Sequence, residues 1–155
     1  LLSEARDMAS ETKEPSGEGS GEVEAATMAE WEKVVSGLPT TAGDPRNVDV
    51  LRTRSAKLED FARSAASAGA SVYWQLRGLT NAAAQLAGCG ATDLRAAGEL
   101  LDEAKRLALN APDLVGDTAR VAPLFRKCLL RSVLVEYAIA RRMWRAVGKS
   151  VPTDL

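Results

Sequence analysis

The sequence predicts an all-α fold: a small up-and-down bundle of about four helices, preceded by an extended acidic N-terminal segment. Three observations predict it. Apolar residues recur at helical spacing in successive stretches, separated by Gly- and Pro-containing breaks. No stretch of useful length alternates apolar and polar residues as a strand would. The chain of 155 residues holds 27 alanines, the residue with the highest helix propensity. Small side chains let helices approach closely, while each contact buries little area.

The expected organisation has three parts. Residues 1–43 form an acidic, largely extended segment with a short helix near 28–37. Residues 44–150 form the bundle, and 151–155 a C-terminal tail. From Ser10 to Ala26 the composition is mainly Glu, Gly and Ser, with Pro15, too poor in apolar surface to repay its ordering entropy. That stretch is expected to be ordered only along a partner. The short helix is expected from Met28 to about Gly37, with Thr27 as N-cap and Glu30 at capping-box spacing.

The first long helix is expected to begin at Asp44–Pro45, with Asp as cap and Pro in the first turn. Its inner face is Val48, Leu51, Leu58, Phe61, Ala62 and Ala65, and it loosens at Ser67–Gly69. The second runs from about Ser71 to Ala87, with Val72, Leu76, Leu79, Ala83 and Leu86 stepping by four and three. Gly88–Gly90 is the turn. Thr92 or Asp93 caps the third helix, whose stripe is Leu94, Ala97, Leu101, Ala104 and Ala108. After a loop over residues 110–116, the last helix spans about Thr118 to Gly148. One stripe on it is Leu130, Val133, Tyr137, Ala140, Trp144 and Val147, and a neighbouring strip is Cys128, Val135, Ile139 and Met143. With apolar residues on both sides, this helix is expected to be the central one.

Charge is unevenly placed. Net charge is −1, so there is no bulk attraction to nucleic acid, and no base-reading motif is present. Residues 1–33 carry nine acidic and three basic groups, whereas residues 117–155 carry three acidic and eight basic. Such asymmetry points to interaction at the ends of the chain, or to mutual neutralisation within the fold. No stretch reaches the ~20 apolar residues that a membrane span needs. The chain begins Leu1–Leu2 rather than with Met, so either a targeting segment has been removed or the start is missing; the expectation taken is removal of a targeting segment and an organellar location. The two cysteines, Cys89 and Cys128, share no metal or redox spacing. Two buried free thiols are expected, with one bridge between helices as the alternative.

Catalytic chemistry is not legible. The sequence has no histidine, which removes Ser–His and Cys–His nucleophilic systems and the Glu-x-x-His pairs of di-iron bundles. No phosphate-binding glycine motif is present. Glu99, Asp102 and Glu103 gather on the third helix, but Asp102 with Arg106 and Glu99 with Arg95 read as ordinary surface pairs. The expectation is therefore no catalytic residue, no cofactor and no metal.

The candidate interaction residues are Trp74, Glu136, Arg141, Arg142, Trp144 and Arg145. The three arginines surround Trp144 on a basic amphipathic helix end, suited to an acidic protein or a membrane surface. The alternative is that cations at a helix C-terminus simply complement the macrodipole. Trp74 adjoins Tyr73, so one of the two can face out as an anchor; the alternative is burial of both against neighbouring helices. Glu136 lies between Val135 and Tyr137, and its own helix offers Ser132, Val133, Ile139 and Ala140 at the pairing positions, none of them cationic. A cation from another helix, Arg77 or Arg95, or from a partner chain is expected.

An extended N-terminal segment ahead of four helices is similar in architecture to the extrinsic helical subunits of photosystem II, although no sequence motif carries that resemblance. The absence of catalytic groups, the charged termini, the low-complexity segment and the missing Met lead to the expectation of a non-catalytic accessory subunit of a larger organellar assembly, respiratory or photosynthetic, docking on other protein subunits through its N-terminal segment and a bundle face. The alternative is a free-standing helical module that uses its basic last helix to bind an acidic protein or a membrane surface.

Overall fold

A computed structural model describes residues 21–41, 43–44, 46–111 and 118–148 of the chain. Five helices account for its secondary structure, with no strand among the described residues. Helix α1 covers residues 21–36. It is followed by α2 (Val48–Ser67), α3 (Val72–Leu86), α4 (Ala91–Asn110) and α5 (Thr118–Ala146). The all-α expectation holds. The bundle has one helix more than expected, because α1 belongs to it.

Helix α1 begins seven residues before the expected Met28. Thr27 is not its cap: the hydroxyl donates to the Val23 carbonyl at 2.6 Å, inside the helix. The reason lies in spacing. Val23, Thr27, Trp31, Val34 and Leu38 step by four, four, three and four, and this stripe packs on the bundle with Thr27 and Trp31 buried. Residues 21–26, expected to be extended, therefore form the first turns of α1. Residues 10–20 lie outside the described part of the chain.

Asn47 caps α2, its Oδ1 accepting the Val50 N–H at 3.2 Å. Asp44, the expected cap, instead accepts the Arg46 N–H at 3.0 Å in the preceding turn; Pro45 lies outside the described residues. Leu58, Phe61, Ala62 and Ala65 are buried as the stripe predicts. The helix ends before Gly69, whose φ of 73° favours a residue without Cβ.

Helix α3 is the central element, packed against α2, α4 and α5. This corrects the assignment of that role to the last helix. The physical reason is charge. Within α3 only Arg77 is ionised, whereas α5 carries eight charged side chains. Ser71 caps α3, its Oγ accepting the Tyr73 N–H at 3.1 Å. At Gly78 the α2 backbone comes so near that a Cβ would stand 2.8 Å from Ala62 Cβ and 3.0 Å from the Leu58 carbonyl oxygen. Alanine would gain ~1 kcal/mol of helix propensity there, but the neighbour it meets is backbone, which cannot swing aside. Gly78→Ala is expected to destabilise by a net ~1–2 kcal/mol in urea unfolding. A neutral or stabilising result would mean that α2 and α3 separate freely.

Gly90 opens α4, and the Asp93 carboxylate accepts the Gly90 N–H at 3.1 Å. Asp93 was one of two expected caps; it sits instead in the first turn and reaches back. The same carboxylate receives Nε and Nη2 of Arg52 at 3.0 and 2.8 Å, tying α2 to α4. That fork holds the Asp93 carboxyl below the usual carboxylate range. Arg63 makes a second tie from α2, pairing with Glu59 on its own helix and Glu103 on α4. Cys89 and Cys128 are free and buried, and burial raises both thiol pKa values.

Candidate docking surface

Helix α5 presents different chemistry on its two sides. Its inner side carries Val121, Cys128, Ser132 and Val135, all buried. Leu124, Phe125, Ala138 and Ile139 pack beside them. Ser132 Oγ accepts from Lys105 Nζ at 2.9 Å, and the Cys128 thiol lies 3.7 Å from the Leu101 carbonyl oxygen. These contacts fix the rotation of α5 on the bundle.

Fixing the inner side turns the other stripe outwards. Among the described residues eleven large hydrophobic side chains are exposed, and eight of them belong to α5 or the residue after it: Leu129, Leu130, Val133, Leu134, Tyr137, Met143, Trp144 and Val147. Their exposure runs from 36% for Trp144 to 67% for Val147. Scattered exposed apolar residues are normal, but a continuous strip along one helix marks an interaction surface. The strip also outruns its support. From Ala140 to Gly148 every residue is exposed, so the last turns of α5 extend past the bundle. A short helical end with nothing to pack on is marginal in water.

A second feature lies at the other end of α5. A cleft of about 590 Å³ opens between α1, α3 and α5, lined by Trp31, Tyr73, Arg77, Asn81, Arg120, Arg126 and Lys127 with Pro123, Leu124 and Leu130. Its lining holds four cations and no carboxylate. Arg77 stacks over Trp31 at 4.5 Å and Arg120 over Tyr73 at 4.0 Å, a geometry that guanidinium planes favour. Glu24 of α1 pairs with Arg120 and accepts the Trp74 indole N–H at 2.8 Å. No reading of the sequence had joined these residues, because they come from three helices far apart in the chain.

The sequence candidates fall into two groups. Trp74 is in the interior, 2% exposed, among Trp31, Phe61 and Tyr73. It offers no surface to a partner, and its neighbour Tyr73 is the half-buried one. Glu136, Arg141, Arg142, Trp144 and Arg145 all lie on the exposed part of α5. Arg77 and Arg95 do not pair with Glu136: Arg77 is engaged with Trp31 and the Tyr73 hydroxyl, and Arg95 is exposed on α4. The cation that feels the Glu136 charge is Lys105, itself bridged to Asp102 at 2.9 Å. Glu136 forms no ion pair with any described residue.

Asp102 therefore pairs with Lys105 rather than with Arg106, and Glu103 with Arg63. Among the described residues no three His, Cys, Asp or Glu side chains gather as a metal site would require. No described helix is long and apolar enough to cross a membrane.

No protein-family model matches the chain, and no curated protein or solved structure does either. What the fold and surface define is an all-α bundle whose final helix is apolar on two opposite sides.

Proposed function

We propose that this chain is a non-catalytic assembly subunit that joins a partner by helix–helix packing on the outer side of α5. The observation that carries the reading is the strip from Leu129 to Val147, eight large apolar side chains on one helix that is already seated by its opposite side. An amphipathic partner helix is the occupant suited to a straight apolar strip of this length. The basic cleft beside Leu130 gives that partner a place for acidic side chains next to the apolar contact. The lack of histidine and the engagement of Asp102 and Glu103 in ion pairs support a binding role over a catalytic one.

Size fractionation of native extracts tests this. The chain should run in a particle clearly larger than its own 16.4 kDa, and Tyr137→Glu should return it to monomer size. A wild-type chain at monomer mass, or a Tyr137→Glu chain that stays in the particle, overturns the reading.

A further inference from the structure

The outer stripe of α5 keeps the same three-and-four stepping as the packed stripes of α3 and α4. Leu130, Val133, Tyr137, Ala140, Trp144 and Val147 step by three, four, three, four and three. That is the 3.5-residue repeat of a coiled-coil seam, with Leu130, Tyr137 and Trp144 at the a positions and Val133, Ala140 and Val147 at the d positions. The same register places every other exposed hydrophobic of α5 at a flanking position: Leu129 and Met143 at g, Leu134 at e. The four buried residues, Val121, Cys128, Ser132 and Val135, all fall at c or f, facing the chain's own bundle. The strip spans about 27 Å of helix.

We infer that the occupant of this face is a second copy of the same chain, paired parallel and in register through α5. The inference rests on the docking reading above. Its independent ground is charge complementarity. In a parallel pair the g residue of one helix meets the e residue five positions later on the other. Glu136 is at g and Arg141 at e, so each Glu136 meets the partner's Arg141, twice across the two-fold axis. The other flanking pair within α5 is Leu129 with Leu134, which introduces no charge conflict. Antiparallel pairing sets g against g and e against e, which separates Glu136 from Arg141. A lipid surface would have no use for Glu136 beside the strip. The pairing also gives Glu136 an ion-pair partner, which no described residue of its own chain provides, and covers the last turns of α5 where the bundle does not reach.

The test uses the purified full-length chain. Sedimentation equilibrium at micromolar concentration should give twice the 16.4 kDa chain mass, and Val133→Glu should give a folded monomer that loses at most the helix signal of the last turns of α5. Glu136→Arg or Arg141→Glu alone should raise the dimer dissociation constant about five- to thirtyfold, and the two together should restore it. Val133→Cys should cross-link on oxidation, since identical d residues face each other only in a parallel pair. A wild-type monomer at all concentrations, an unrescued charge swap, or absent cross-linking overturns the pairing. So does a monomeric chain that co-sediments with phosphatidylserine–phosphatidylcholine vesicles, which assigns the face to lipid. If the purified chain is monomeric while native extracts hold it in a larger particle, the second copy is excluded and the docking reading survives.

Discussion

Trp74→Ala is expected to lower the unfolding free energy by about 3–5 kcal/mol, the largest effect of any single truncation in this fold. The indole is 2% exposed. Its ring stands 6.2 Å from Phe61 and 6.4 Å from Trp31, while Trp31 and Phe61 meet edge to face at 5.1 Å. These three rings join α1, α2 and α3, so truncation opens a cavity where three helices meet. The loss is also polar. Glu24 accepts the indole N–H at 2.8 Å, and without it keeps, among the described residues, Arg120 as its ion-pair partner. Trp74→Phe separates the two parts, retaining an aromatic ring while deleting the N–H, and should cost markedly less. Urea unfolding followed by far-UV circular dichroism measures both, because indole fluorescence changes with the substitution itself. A cost below ~1 kcal/mol for Trp74→Ala would show that α1 does not pack on α3 as described.

The sequence disclosed what depends on local periodicity. The stripes of α2, α3 and α4 are buried as their spacing predicts, from Leu58 and Phe61 through Leu76 and Leu79 to Leu94 and Leu101. Ser71 and the break at Gly69 fall where capping chemistry puts them. The turns of α1 before Met28 were obscured because glycine, serine and glutamate dominate the composition around them, although the Val23–Thr27–Trp31–Val34–Leu38 spacing was there to be read. The central helix was misassigned for a different reason. Two apolar stripes on α5 suggested burial on both sides, yet a helix with eight charges is less suited to the centre than α3 with one. Periodicity reports that a face is apolar; it does not say whether the covering surface belongs to the same chain. The cleft between α1, α3 and α5 was illegible because Trp31, Arg77 and Arg126 are brought together only by tertiary packing.

Leu101→Ala is the second large expected loss, about 2–5 kcal/mol, and the setting argues for the upper half of that range. Leu101 is 0% exposed on α4. It borders a groove of about 160 Å³ whose walls include Ala83, Ala84 and Ala87 of the α3 region together with Leu94, Leu134 and Val135. Alanine has no rotatable side chain, so the Ala83, Ala84 and Ala87 side of the groove cannot move atoms into the vacated space, and a cavity that collapses only in part keeps most of its cost. The abundance of alanine that lets the helices approach thus makes each large aliphatic side chain harder to replace. The loss should also reach the outer side of α5. Leu101 borders the same groove as Val135 on the inner side of α5 and Leu134 on the docking strip, so loosening this seat frees the rotation that sets the strip outwards. Chemical unfolding and self-association should therefore weaken together in Leu101→Ala, whereas Val133→Glu should disturb association alone. A stability cost near zero would place Leu101 outside the packed interior and remove α4 as the support on which α5 is held.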